Sequence, residues 1–156
     1  MDFSVNSAKK SLYEQDYWQW LEKTAYDLQQ RHYAQIDWEN LSEEIQDMGK
    51  RERRSARSNL IVILVHLLKW QFQENMRTGS WKGSIREHRD RLQNILADSP
   101  SLSHFLLENW ANCYDKAIAQ AIDETELPAE IFPQVCPYSL DAVLDDNFWP
   151  DVTVEE

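Results

Sequence analysis

The sequence predicts an all-α fold, a single-domain helical bundle of about five helices followed by a proline-rich C-terminal strap. The 156 residues include only three Gly and five Pro, and four of the Pro come after residue 127, so little interrupts a helix before that point. Apolar residues recur at the three- and four-residue steps of an α-helix. Hydrophobic residues make up 42% of the chain, which is enough for one core without disulfides or a structural metal.

The first two helices begin at recognisable capping residues. Ser11 and Glu14 form a capping-box pattern, which predicts helix one over about residues 12–31. Asp37 can cap helix two, which we expect to end or kink at Gly49. Each helix carries one apolar stripe at helical spacing. The stripes are Tyr17, Leu21, Ala25 and Leu28 in helix one, and Trp38, Leu41, Ile45 and Met48 in helix two.

The middle of the chain predicts a buried third helix. From Lys50 the pattern is basic, and from Leu60 to Leu68 it is apolar on every side except at His66. A helix that is hydrophobic all round belongs in the core of a bundle. The β-branched residues of this run also suit a strand, but the absence of turn residues around it favours a helix.

Two more helices and the strap complete the pattern. A loop at 77–80 precedes helix four, whose apolar residues repeat over 81–95. The segment Ser99-Pro100-Ser101 ends that helix and starts helix five, whose apolar face reaches Ala121. From Leu127 onward the prolines forbid long helices, so we expect an extended strap whose apolar residues cover the bundle.

The predicted domain organisation is a lead-in at 1–10, the bundle with its strap at 11–150, and an acidic tail at 151–156. The first ten residues lack the apolar core and the cleavage site of a signal peptide. The run 60–68 is about half as long as the roughly 20 residues that a membrane span requires. Two Cys are too few for a disulfide framework, which fits a reducing compartment. We therefore expect a cytoplasmic protein without a membrane partner.

Charge is distributed unevenly along the chain. The formal net charge is −11, yet residues 50–91 hold eleven Lys or Arg against four Asp or Glu, a net of +7 that leaves −18 for the rest. The basic middle is either neutralised by the acidic flanks, which we favour, or forms a partner-binding face. The candidate partner-binding residues of such a face are Arg51, Arg54, Arg86 and Arg89. Trp70 and Trp81 within the same segment would also suit nucleic-acid binding, although the negative net charge argues against it.

His66 interrupts the buried aliphatic run and requires a polar neighbour. On a helix it falls in one polar seam with Asn59 and Lys69. In one interpretation these side chains pair with a carboxylate or a backbone carbonyl, because an unpaired buried polar group costs roughly 1–3 kcal/mol. In the other, Glu43, Glu44 and His66 bind a divalent metal, and the candidate catalytic residues are Glu44, His66 and Lys69. The sequence lacks both HExxH and a two-helix Glu-x-x-His signature, which favours the first interpretation.

Three functions are compatible with these patterns, in order of preference. The first is a small protein-interaction or regulatory module that binds another protein through a charged helical face or through the strap. The second is a metal-dependent hydrolase, with phosphodiesters as candidate substrates, that uses Glu43, Glu44 and His66. The third is nucleic-acid binding through residues 50–91. The first function needs no cofactor, and the sequence leaves the oligomeric state open.

Several spaced segments of the sequence resemble one known family. They read DYWQWLEKTAYDLQQ, IDWENLSEEIQDMGKRERR, LVHLLKWQ, SWKGSIREHRDRL, DSPSL and CPYSLDAVLDDNFWP. They resemble a bacterial family catalogued as domain of unknown function twenty-nine, and the resemblance extends over roughly residues 13–150. The resemblance implies an all-helical domain. It implies no activity, ligand or site residue, because none is established for that family.

Overall fold

The computed structural model describes residues 8–151, and its regular elements are helical. No β-strand occurs in that stretch, so the all-α prediction is confirmed. None of the helices in this part of the chain combines the length with the apolar character that a bilayer span requires. The α-helices are α1 (Leu12–Gln15), α2 (Tyr17–Gln29), α3 (Trp38–Phe72), α4 (Gly79–Asp98), α5 (Leu102–Glu108), α6 (Trp110–Thr125) and α7 (Leu140–Leu144).

The predicted first helix is divided in two at Asp16. Ser11 starts α1 with the capping box that the sequence predicts, and its side chain accepts a hydrogen bond from the Glu14 N–H. The backbone becomes extended at Asp16, whose φ is −151°, and the Asp16 side chain accepts from the Gln19 N–H at the start of α2. A capping residue inside an apolar repeat therefore ends one helix and starts the next.

The predicted break at Gly49 is wrong, because α3 runs through this residue without interruption. Gly49 does not take the left-handed conformation that commonly ends a helix. A glycine inside a helix costs only about 1 kcal/mol relative to alanine, which the remaining contacts of a long helix can offset. The predicted helices two and three are thus one element of 35 residues.

The predicted fifth helix is divided at Asn109, where α5 ends and α6 begins. The φ of Asn109 is −103°, outside the usual helical value. Its side-chain Nδ2 donates to the Phe105 carbonyl oxygen at 2.8 Å, so the amide occupies an acceptor near the end of α5. Asn side chains commonly bond to local backbone in this way and weaken helix interiors.

The described chain divides into two compact units between Gly49 and Lys50. The first unit contains α1, α2 and the first turns of α3, and the second contains the rest of α3 together with α4 to α7. The predicted bundle domain at 11–150 includes this division, and its boundaries stay a prediction. The predicted lead-in lies mostly outside the described residues, as does the acidic tail after Asp151.

The second unit has an apolar core around α3. Leu64 and Leu67 are fully buried, whereas His66 between them is only partly buried. The prediction that 60–68 forms a buried central helix is therefore confirmed. Side chains from α4, α5 and α6 complete this core, and they include Ile85, Leu92, Leu102, Leu106, Cys113, Tyr114, Ala117 and Ala121.

The proline-rich strap packs against the same core. Tyr138 and Val143 are buried among the core residues. The Tyr138 hydroxyl donates to Gln71 Oε1 at 2.6 Å, and the Tyr114 hydroxyl donates to the Pro133 carbonyl oxygen at 2.6 Å. Through these residues the strap completes the core of the second unit, as predicted, although Ile131 and Val135 are exposed.

Candidate functional site: an exposed apolar face of the first unit

The predicted polar seam of α3 finds partners within the second unit. His66 Nδ1 lies 2.8 Å from the carbonyl oxygen of Val62, so this nitrogen donates to the preceding turn of its own helix. Asn59 Oδ1 lies 2.7 Å from His88 Nδ1 on α4. Burial lowers the pKa of His88, and the positive charge of Arg91 lowers it further. His66 therefore has a backbone carbonyl as its partner, one of the two partners that we expected for it.

Lys69 forms an ion pair at the end of the same seam. Its Nζ lies 2.7 Å from Glu124 Oε2 on α6 and 4.6 Å from the ring centroid of Trp81. Burial by itself would raise the pKa of Glu124, but the hydrogen bonds from Lys69 and Gln120 lower it below the ordinary value. The ammonium group is thus held between a carboxylate and an aromatic face, which favours a structural role.

Glu44 is buried in the first unit and binds two tyrosines. Its carboxylate accepts from the Tyr17 hydroxyl at 2.5 Å and from the Tyr13 hydroxyl at 3.2 Å. Burial and the hydrogen bond to Glu44 raise the pKa of Tyr13. The Tyr13 ring also packs edge-on against Trp20, with centroids 4.7 Å apart. Glu44 therefore organises an aromatic cluster, whereas the neighbouring Glu43 is exposed.

The metal hypothesis draws on residues that the structure assigns to different units. Glu43 and Glu44 belong to the first unit and His66 to the second. Within residues 8–151, no group of three or more His, Cys, Asp or Glu side chains is placed so that it could hold a metal ion. The divalent-metal site and the catalytic roles of Glu44, His66 and Lys69 stay predictions.

The predicted basic face includes one arginine that lies in the interior. Arg89 is 1% exposed, and it donates from Nε to the Val143 carbonyl oxygen at 2.7 Å and from Nη2 to the Phe148 carbonyl oxygen at 2.9 Å. This side chain therefore ties α4 to the strap instead of facing a partner. The other three candidates are exposed, and their partner-binding role stays a prediction; they are Arg51, Arg54 and Arg86.

The two tryptophans of the nucleic-acid hypothesis have cations of the protein beside their rings. Arg77 lies 4.8 Å from the ring centroid of Trp70, and Lys69 has the corresponding position at Trp81. Trp149 packs against Trp70 as well, with centroids 4.9 Å apart. These side chains occupy ring surface on which a base would stack. Nucleic-acid binding through 50–91 stays a prediction.

The two apolar stripes predicted for the first unit are exposed instead of buried. On α2, Tyr17 and Leu28 expose 45% and 40% of their surface. On α3, Trp38, Ile45 and Met48 expose 53%, 60% and 54%. Spacing predicted the members of each stripe, but these five side chains face solvent.

α2 instead buries a face that is largely polar. Its buried residues are Trp20, Thr24 and Asp27. The Asp27 carboxylate lies 2.5 Å from Lys23 Nζ and 3.5 Å from His32 Nδ1, and the hydrogen bond from Lys23 lowers the pKa of Asp27. Polar packing of this kind leaves the apolar side of the helix in solvent.

The exposed stripe on α3 forms one surface, which we call the α3 apolar face and define as Trp38, Leu41, Ile45 and Met48. Residues three and four apart lie on the same side of a helix. Three of the four border a shallow depression of about 260 Å³, whose rim includes Ser42. The Trp38 indole N–H donates to the Tyr33 carbonyl oxygen at 3.2 Å, which restricts the orientation of the ring.

Exposed large apolar side chains are concentrated in the first unit. Of the twelve among the described residues, eight lie before Lys50. Sequence analysis assigned Trp18, Tyr26 and Tyr33 to no stripe, yet they expose 67%, 57% and 53% of their surface. The density of aromatic residues could have indicated this exposure. Seven aromatic residues fall within 13–38, more than two short helices can bury.

These observations define the class of protein first: the described residues form an all-helical protein with an apolar face in solvent. A family model described as Domain of unknown function DUF29 matches residues 12–149. Because the match covers nearly the whole chain, the protein belongs to that family, as the resemblance of its sequence indicated. No curated protein and no solved structure matches the chain.

Proposed function

We propose that this protein is a protein-interaction module whose partner binds the α3 apolar face. The observation that carries the proposal is that Trp38, Ile45 and Met48 each keep more than half of their surface in water although they share one side of a helix. Single exposed apolar residues are ordinary on protein surfaces. A row of them at helical spacing is typical of a helix that packs against another element.

Burial of this row supplies binding free energy. A fully buried large apolar side chain gains about 1.5–3 kcal/mol, so a partner that covers the remaining half of each gains about 1 kcal/mol per residue. Tryptophan is enriched among the residues that dominate interface energies. Since the hydrogen bond to Tyr33 already orients Trp38, binding loses little rotamer freedom at this side chain.

The strap supports the same function less well. Sequence analysis offered it as an alternative docking segment, but Tyr138 and Val143 of the strap are buried in the second unit. The Arg89 side chain holds two of its carbonyl groups. Of the large apolar side chains that the structure describes in the strap, only Ile131 and Val135 are exposed, and neither lies on an α-helix, so the strap offers no apolar row comparable to the α3 apolar face.

Affinity capture from cells that express the protein tests the proposal. Ile45→Glu places a charge in the α3 apolar face, and Val135→Glu places the same charge at a residue of the second unit that is 80% exposed. Both positions face solvent, so each variant should keep its stability within about 0.5 kcal/mol, which thermal melting checks. We expect a protein retained by the wild type and by Val135→Glu to be lost with Ile45→Glu. An identical set of captured proteins for all three chains would contradict the proposal.

A further inference from the structure

We infer that the partner of the α3 apolar face is a cationic amphipathic helix, a segment with one apolar stripe bordered by Lys or Arg. The inference rests on the proposed function, because it specifies what binds the face. An amphipathic helix that lays its apolar side on an apolar surface is a common form of peptide recognition. The charge, the layout and the length of the face select this occupant.

The charge within the span of the face is acidic, and α3 becomes basic only from Lys50 and Arg51, after Met48. Between Trp38 and Gly49, α3 carries four acidic residues and no Lys or Arg. Residues 8–49 together hold nine Asp or Glu against four Lys or Arg, a net charge of −5. One of those four bases, Lys23, already pairs with Asp27. A positively charged partner is therefore favoured both in its approach and in its final position.

Two exposed acidic residues flank one edge of the face. Ser42 and Gln46 line the depression together with apolar residues of the face. Glu39 and Glu43 are exposed and lie four residues apart, so they form one row on the helix. At about 100° per residue, this row lies beyond the edge formed by Ser42 and Gln46. An apolar seam followed by polar and then charged positions is the layout with which paired helices select partners of opposite charge.

The face also sets the length of its occupant. Met48 follows Trp38 by ten residues, which at a rise of about 1.5 Å per residue gives a length of about 15 Å. A helix of about 12–15 residues covers that distance with one turn to spare. A short helical segment of another protein is therefore sufficient.

A second copy of the chain fits this surface less well. A contact between two α3 apolar faces is isologous, so it brings together two patches that both carry the exposed Glu39 and Glu43 beside the apolar seam. Like charges that face each other across an interface cost free energy. An anionic membrane surface meets the same repulsion from these carboxylates.

Three labelled synthetic peptides of about 18 residues, long enough to become helical on binding, test the inference by fluorescence anisotropy with the intact chain. The first has Leu at stripe positions and Lys elsewhere. The second has Glu in place of every Lys. The third has the composition of the first in a scrambled order that forms no stripe, so it measures attraction by charge alone.

We expect the Leu/Lys peptide to bind at least about tenfold more tightly than either of the other two. Ile45→Ser should weaken its binding by about tenfold, whereas Val135→Ser, at an exposed residue outside the face, should leave it unchanged. Glu39→Lys and Glu43→Lys together change the net charge of residues 8–49 from −5 to −1, so they should abolish most of the preference for the Leu/Lys peptide over the Leu/Glu peptide. The comparison of peptides uses the wild-type chain, so it does not depend on the folding of any variant.

Each contrary outcome has a distinct meaning. Equal binding of the Leu/Lys and Leu/Glu peptides, or an unchanged preference after charge reversal, overturns the cationic partner but retains the docking face if Ile45→Ser weakens both peptides. Equal binding of the scrambled peptide overturns the inference, because binding then does not depend on an apolar stripe along the peptide helix. Binding that is indifferent to Ile45→Ser overturns the proposed function itself. A dimer in sedimentation that Ile45→Ser dissociates assigns the face to a second copy and also overturns the inference.

Discussion

Arg89→Ala is expected to destabilise the second unit strongly, because this one side chain joins α4 to the strap. Arg89 is 1% exposed, and its guanidinium donates hydrogen bonds to the carbonyl groups of Val143 and Phe148. The guanidinium carbon also lies 5.6 Å from the ring centroid of Trp149. The substitution leaves two strap carbonyls without their donor and removes the contact with the ring.

The size of the effect follows from these contacts. A hydrogen bond from a charged donor contributes about 1.5–3 kcal/mol, so the two bonds together contribute about 3–6 kcal/mol. Burial opposes the charged form and lowers the pKa of Arg89, which offsets part of that gain. We therefore expect a loss of about 3 kcal/mol in the free energy of unfolding, which lowers Tm by roughly 6–12 °C in a domain of this size.

Urea denaturation and thermal melting measure this loss, and Arg91→Ala is the matched control. Arg91 lies on the same helix but is exposed and pairs with the exposed Glu87, a kind of contact that contributes about 0–1 kcal/mol. Hydrogen exchange should also show faster exchange of strap amides in Arg89→Ala. Equal urea midpoints for the two variants would refute the conclusion that Arg89 holds the strap.

Two further predictions concern a buried carboxylate and a histidine. Glu44→Ala removes the acceptor of two tyrosine hydroxyls, so the pKa of Tyr13 should fall towards its ordinary value and the urea midpoint should decrease. Absorbance titration detects the first change, and Glu22→Ala, at an exposed residue of α2, should cause neither. Burial lowers the pKa of His88, so the unfolded chain takes up a proton first as the pH falls. Stability should therefore decrease from about pH 6.5 down through the lowered pKa. His88→Gln should reduce that dependence in urea midpoints measured at several pH values, while His104→Gln at an exposed site should retain it.

Sequence patterns predicted the positions of helices well where one physical cause determines whether a helix forms or is buried. Ser11 has the side chain that favours a helix start, where it accepts from a backbone N–H that has no partner in the helix, and α1 begins there. The run at 60–68 has no polar side except at His66, so it can only be central in the bundle. The structure at Gly49 was harder to predict, because glycine occurs at helix ends and is also tolerated inside helices.

The candidate site was predictable only in part. The spacing of Trp38, Ile45 and Met48 identifies one side of a helix, but spacing contains no information about what covers that side. The partner of Lys69 was missed for a related reason. Glu124 lies 55 residues further along the chain, and no local pattern connects the two positions. Glu43 and Glu44, the acids that we placed beside this seam in the metal hypothesis, belong to the first unit.

The position of the strap also has a consequence for biosynthesis. Tyr138 and Val143 complete the core of the second unit, so that core stays open on the ribosome until both have been synthesised. From Ala121, the last core residue of α6, to Val143 the ribosome adds 22 residues. At about 5–20 residues per second this takes about 1–4 s, during which the nascent chain presents its aliphatic helix to chaperones and to aggregation.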